Sequence, residues 1–132
     1  MGYITHRSEE SVEDYLETIY ILSGRLPVVR SIDIATELNY SKPSISVAMK
    51  NLKSKDYITI SNEGYISLTP VGLSLAQRTY ERHTFFTNWL VSLGVDPETA
   101  THDACKIEHD LSPESFDAIK TFISRNCQFS CD

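Results

Sequence analysis

The stretch Ser31-Ile-Asp-Ile-Ala-Thr-Glu-Leu-Asn-Tyr-Ser-Lys-Pro-Ser-Ile-Ser-Val-Ala-Met-Lys-Asn-Leu52 decides the fold. It holds two short helical patterns with a break between them. Over Ser31–Asn39, the residues Ile32, Ala35 and Leu38 recur every three positions and predict a buried side. Asn39-Tyr40 interrupts the pattern. A new helix opens at Ser41, with Pro43 in its first turn, where a missing backbone N–H does no harm. Ile45, Met49 and Leu52 are its apolar positions, with Val47 a marginal fourth. Two short helices joined by a tight turn form a helix–turn–helix. In DNA-binding modules of that kind the second helix enters the major groove with its N-terminal residues at base edges.

The flanking segments extend this reading. Upstream, Val12, Tyr15, Leu16, Ile19, Tyr20 and Leu22 form the stripe of an amphipathic helix. Ser11 is its expected N-cap, and Gly24 with Pro27 stops it. Downstream the period changes. Tyr57-Ile-Thr-Ile-Ser61 and Tyr65-Ile-Ser-Leu-Thr69 alternate about the turn residues Asn62-Glu63-Gly64, which predicts a β-hairpin. Thr69-Pro70 then caps a long helix to about Leu93, ended by Gly94. Asp96-Pro97 opens a helix through about Leu111. Ser112-Pro113-Glu114 opens a last one, with Phe116, Ile119, Phe122 and Ile123 on its apolar side. The order predicts a mainly α chain: an N-terminal winged helix-turn-helix with a small β-hairpin wing over residues 1–70, then an α-helical domain over residues 71–132. That second part is too small to bury its faces alone, which points to self-association.

Composition bounds the function. The 132 residues are 41% hydrophobic and 23% charged, which excludes a disordered, collagen-like or disulfide-scaffold chain. No apolar run reaches the length of a membrane span, and the start of the chain lacks the apolar segment of a secretory signal, so a cytoplasmic protein is expected. Three cysteines, Cys105, Cys127 and Cys131, form no disulfide framework. Cys127 and Cys131 are either incidental thiols or partners in an inter-chain disulfide. The net charge of −6 argues against nucleic acid. Between Tyr40 and Asp56, however, four lysines face one aspartate. The second helix of the pair is therefore basic inside an acidic chain, and Ser41, Lys42, Pro43, Ser44, Ser46 and Lys50 are its candidate DNA-contacting residues.

Several polar groups carry possible metal chemistry. Asp14 and Glu17 project from one face of the first helix. Cys105, Glu108 and His109 share a face of the fifth. His83 lies on the long helix, whose polar side is expected to include Arg78 and Arg82. A D-x-x-E pair is ordinary on a solvated surface, and a lone histidine says little. The group C-x-x-E-H is rarer, since it sets a soft sulfur, a carboxylate and an imidazole side by side. If all six converge, three carboxylates and a thiol need compensation, either by divalent cations or by protonation. Metal binding would then weaken at low pH.

With these residues in view, the chain resembles the diphtheria-toxin-repressor family, and within it the short manganese-transport-regulator branch. The resemblance rests on Glu13-Asp-Tyr-Leu-Glu-Thr-Ile-Tyr20, Ser41-Lys-Pro-Ser-Ile-Ser46, Leu68-Thr-Pro-Val-Gly72, Arg82-His83 and His102-Asp-Ala-Cys-Lys-Ile-Glu-His109. It implies a homodimeric, metal-activated repressor of metal-ion uptake genes that binds a pseudo-palindromic double-stranded DNA operator. It places metal ligands at Asp14, Glu17, His83, Cys105, Glu108 and His109. Longer members add a further domain, and with this chain ending at Asp132 the short branch is the one expected. Asp14 matches the manganese branch, whereas Cys105 matches the iron-type pattern. The hard carboxylate favours Mn²⁺ and the softer sulfur favours Fe²⁺, Co²⁺ or Zn²⁺; Mn²⁺ is expected first and Fe²⁺ second. Thr87 replaces a carboxylate of the iron-type ancillary site, so that site is not transferred. His102 is expected to support the ligand helix or face solvent.

Two other readings compete. A winged-helix regulator could respond to a small organic ligand. A metal-dependent hydrolase could use the same carboxylates, but no nucleophile, base or phosphate-cradling glycine loop is evident, so no enzyme is expected.

Overall fold

In the computed structural model, residues 3–126 are described, with side chains described over residues 12–125. Cys127 and Cys131 lie outside the described residues. Among the described residues the elements run α1 (Tyr3–Ser23), α2 (Ser31–Leu38), α3 (Lys42–Ser54), β1 (Ile58–Ile60), β2 (Ile66–Leu68), α4 (Pro70–Ser92), α5 (Pro97–Glu108) and α6 (Pro113–Asn126). They form two compact units. The N-terminal unit comprises Arg7–Arg78; the C-terminal unit takes in the chain from Thr79 onward and the start of α1.

The first helix begins well before the expected cap. Neither glycine nor proline occurs between Tyr3 and Ser23, so nothing interrupts the helix at Ser11, which stands inside it. The stripe of α1 supplies Leu16, Ile19 and Leu22 to the core of the N-terminal unit, joined by Val29, Ile34, Ala35, Ile45, Met49, Leu52, Ile58, Ile66 and Ala76. In α2 the buried edge is Ile34, Ala35 and the partly buried Leu38. That edge turns Ile32 outward, to 44% exposure, against the expectation from spacing. Val47 is likewise not a core position: it is 61% exposed on α3.

The turn between α2 and α3 is built by Asn39, which adopts the left-handed conformation at φ 57°. It lets the Tyr40 N–H reach the Ala35 carbonyl at 3.0 Å, closing the helix end. Ser41 then caps α3, its hydroxyl accepting from the Ser44 N–H at 3.3 Å. Pro43 follows in the first turn. Tyr15 of α1 meets Tyr40 edge to face at 6.4 Å, tying the first helix to this turn.

The wing is a two-stranded antiparallel hairpin in the register Ile58↔Leu68 and Ile60↔Ile66. Gly64, at φ 85°, supplies the conformation its turn needs. The Ile66 N–H donates to the Val29 carbonyl at 2.7 Å, so β2 is also stitched to the segment before α2. The Arg30 guanidinium stacks 4.9 Å from the Tyr65 ring centroid at the base of the wing.

The step from wing to α4 explains the motif Leu68-Thr-Pro-Val-Gly72. The Thr69 hydroxyl donates to the Asp56 carbonyl at 2.7 Å and accepts from the Gly72 N–H at 3.1 Å, which caps α4. Gly72 is required by close approach: a Cβ there would stand 2.0 Å from the Tyr57 carbonyl oxygen.

In the C-terminal unit Phe85, Phe86, Ala104, Phe116 and Ile123 form the core, with Trp89, Ile107, Leu111 and Ile119 packed around it. Phe85 and Phe116 meet edge to face with centroids 5.6 Å apart. Phe122 lies to one side of the α6 stripe and is 66% exposed, not buried as its spacing predicts. Gly94, at φ 98°, ends α4, and the Asp96 carboxylate accepts from the N–H groups of Glu98 and Thr99 to start α5. No described helix is long and apolar enough to cross a membrane.

Replacing Gly72 by alanine is expected to destabilise the N-terminal unit by about 2–3 kcal/mol, because the backbone of Tyr57 must move to admit a methyl group. Urea unfolding followed by circular dichroism measures this. An unchanged midpoint would contradict the close approach.

Candidate metal centre and nucleic-acid interface

The C-terminal unit gathers four of the expected metal ligands. Cys105 and Glu108 stand one turn apart on α5. His109 is the residue that ends it, and its backbone stays helical (φ −83°, ψ −14°), so it continues the same face. His83 comes from α4. The Glu108 side chain is 1% exposed. Nδ1 of His83 lies 3.0 Å from one of its carboxylate oxygens, and Nε2 of His109 lies 3.5 Å from the other. One donor atom from each of Cys105, Glu108 and His109 falls within 4.8 Å of the others. A carboxylate in such a place is strongly disfavoured unless positive charge faces it. The surrounding donors are two imidazoles and a thiol, the types that hold divalent first-row cations, so the residues present fit a transition-metal ion.

The end of α5 is set by Arg82. Its guanidinium donates to the carbonyls of Glu108 at 3.0 Å and Leu111 at 2.7 Å, and it lies 5.2 Å from the Phe116 ring centroid. These contacts explain why α5 stops at Glu108 and does not run to Leu111. A cation at a helix C-terminus also opposes the helix dipole. Arg82 is only 7% exposed, which corrects its assignment to the polar side of α4. It precedes Phe85 and Phe86 by three and four residues and so shares their buried stripe. That spacing is the signal by which its role can be read from sequence.

Asp14 and Glu17 are on α1, in the N-terminal unit, one turn apart and neither fully exposed. The Thr18 hydroxyl donates to the Asp14 carbonyl at 2.8 Å. Burial, with Tyr40 and the Asp14 carboxylate nearby, pushes the Tyr15 phenol above its usual range, so it stays neutral beside these acids. His102 is exposed on α5. Thr87 stands one turn beyond His83 on α4.

On the other expected interface, Ser41, Lys42, Pro43, Ser44, Ser46 and Lys50 are all exposed on α3 or at its cap. Ile45, Met49 and Leu52 anchor the opposite side of this helix in the core. The helix therefore presents hydroxyls and lysines outward from a rigid support.

Comparison with known proteins gives the family of each half of the chain. Residues 8–66 match the N-terminal DNA-binding domain of the iron dependent repressors, and residues 69–128 match their metal binding and dimerisation domain. The chain is 37% identical over 121 residues to the transcriptional regulator MntR of Salmonella typhimurium, covering 92% of this chain and 76% of that one. It is 37% identical over 109 residues to the HTH-type transcriptional regulator MntR of Listeria monocytogenes, covering 83% of this chain and 77% of that one. Among solved structures it resembles the manganese regulator SloR, with TM-score 0.76, 27% identity and 86% of this chain covered. It also resembles ScaR with bound Zn²⁺, with TM-score 0.72, 26% identity and 86% of this chain covered. The chain spans about half the length of both solved structures, 53% in each case. Winged helix, basic second helix and metal-binding helical domain define a metal-dependent DNA-binding transcriptional regulator, not an enzyme. The chain belongs to the iron-dependent repressor family.

Replacing Arg82 by methionine keeps bulk but leaves the two carbonyls without their cationic donor. It is expected to lower the stability of the metal-free protein by about 2–3 kcal/mol. Thermal unfolding in EDTA reads this directly. An unaltered transition would show that other contacts hold the end of α5.

Proposed function

We propose that this regulator is a repressor of metal-ion uptake and homeostasis genes that takes Mn²⁺ or Fe²⁺ as corepressor. The observation that carries the reading is Glu108, a fully buried carboxylate set between two imidazoles with a thiol on the same helix face. His83, Cys105, Glu108 and His109 would hold the ion from the helical domain, taken as residues 71–132. Asp14 and Glu17 would contribute from the winged-helix domain, taken as residues 1–70. Bound there, a divalent ion supplies the positive charge that the carboxylates and thiol lack. Asp14 favours a hard ion such as Mn²⁺, and Cys105 favours Fe²⁺, Co²⁺ or Zn²⁺. Relatives named as manganese regulators support placing Mn²⁺ first.

The residues themselves account for the switch. If the six ligands meet, the carboxylates of Asp14, Glu17 and Glu108 would repel one another until an ion is bound. Ligands drawn from both domains make occupancy depend on how the domains are disposed. Occupancy then favours the DNA-competent arrangement only by the difference in affinity between the two states. In a homodimer that arrangement sets the spacing of two α3 helices, and so selects a pseudo-palindromic operator. Ser41, Lys42, Pro43, Ser44, Ser46 and Lys50 would meet that DNA. The site of action would be the cytoplasm.

Operator binding measured with Mn²⁺ or Fe²⁺ and again in EDTA is expected to differ by at least about tenfold, equivalent to a coupling of about 1.4 kcal/mol. Glu108→Gln and Glu108→Ala should remove that difference while size-exclusion chromatography still shows the dimer. Equal affinity with and without metal in the unaltered protein would refute the corepressor role.

A further inference from the structure

We propose that Val47 is a specificity-determining residue of DNA recognition, reading the C5-methyl group of a thymine in each operator half-site by apolar contact. The proposal rests on the DNA-binding role of α3 and adds the base type that the helix selects.

Val47 is 61% exposed on a helix whose other outward residues are polar, proline or lysine. A single exposed apolar residue on a protein surface needs no explanation. The position of this one does. Ile45, Met49 and Leu52 fix which side of α3 is buried, at 0%, 1% and 2% exposure. Helical periodicity then puts Pro43, Val47, Lys50 and Ser54 along the opposite, outward midline. Ser46 and Asn51 flank it, and both are exposed. Val47 thus occupies the centre of the surface that a recognition helix turns into the major groove.

The chemistry at that centre is narrow. The valine side chain carries no hydrogen-bond donor or acceptor, so it cannot pair with guanine O6 and N7 or with adenine N6 and N7. A major groove offers an isopropyl group one complementary feature, the methyl of thymine. The polar groups at the start of the helix are partly committed elsewhere. Ser41 Oγ donates its proton to Ser44 Oγ at 2.9 Å and accepts from the Ser44 N–H, so it serves the cap. Lysines at 42, 50 and 53 can meet phosphates, which position a protein without reading sequence, or a guanine edge, but none can read a methyl group. Val47 is therefore the exposed aliphatic group of α3 placed to tell a base by its methyl group. Valine is also stiff at χ1 within a helix, so its methyl groups are presented in a fixed direction.

The test starts from operators selected out of random duplexes by the full-length protein with Mn²⁺ or Fe²⁺ present. Each thymine of the selected half-site is then replaced singly by deoxyuridine, which pairs identically and lacks only the methyl. At one position the exchange is expected to weaken binding about fourfold per half-site, the effect of losing one buried methyl-sized contact. Val47→Ala should bind the thymine and uracil duplexes equally at that position while keeping its sensitivity at the others. Alanine is the better helix former, so circular dichroism should show α3 intact. Indifference of the unaltered protein to every methyl, or a uracil penalty that persists undiminished in Val47→Ala, would overturn the proposal alone. A selection that enriches no duplex would overturn the DNA-binding role and this proposal with it.

Discussion

A carboxylate withdrawn from water needs positive charge or strong donors around it, and Glu108 is the residue on which that constraint falls. Its side chain is 1% exposed, with His83 at 3.0 Å and His109 at 3.5 Å. The surrounding architecture serves this placement. Aromatic packing of Phe85, Phe86 and Phe116 fixes α4 against α6. Arg82, from the same helix as Phe85 and Phe86, grips the end of α5 through two backbone carbonyls. The ligand-bearing turn is thus held by the core itself. Such support matters for a metal site, because donors that must be ordered on binding cost affinity.

The N-terminal unit solves a different problem with the same economy of local devices. A left-handed Asn39, a serine cap at Ser41 and a proline in the first turn set α3 at a defined angle to α2. Thr69 and Gly72 lock the wing to α4 through the backbone of Asp56 and Tyr57. The result is a helix anchored on one side by Ile45, Met49 and Leu52, with exposed serines and lysines on the other. An acidic chain with net charge −6 can therefore still present a basic element to DNA. Charge distribution, not total charge, decides the matter.

Most of this was legible in the sequence because the elements are punctuated. Asn39-Tyr40, Pro43, Gly64, Thr69-Pro70, Gly94 and Asp96-Pro97 each carry a definite backbone consequence, and the helices and hairpin fall between them. The candidate ligands were legible for a second reason: i, i+3 and i+4 spacing on one helix survives into the structure whatever surrounds it. What spacing could not supply is the rotation of short helices. Ile32 and Phe122 fit an apolar stripe on paper, yet neighbouring residues win the buried edge, and both are turned outward. Ser11 fits an N-cap by residue type, but the helix is already running there, because a serine caps only where the chain has a reason to begin a helix. The charge of Arg82 suggests a surface residue, yet its spacing from Phe85 and Phe86 puts it on their buried stripe.

The histidine, carboxylate and thiol groups around Glu108 are proposed to hold a divalent ion. A crystal structure of the protein grown with Mn²⁺, with diffraction data collected on both sides of the manganese absorption edge, tests it most directly. An anomalous peak is expected within about 2.0–2.4 Å of a Glu108 carboxylate oxygen, with His83 and His109 turned toward it. Full-strength manganese signal located away from these side chains, or none at all with the Glu108–His83 contact intact, would contradict it.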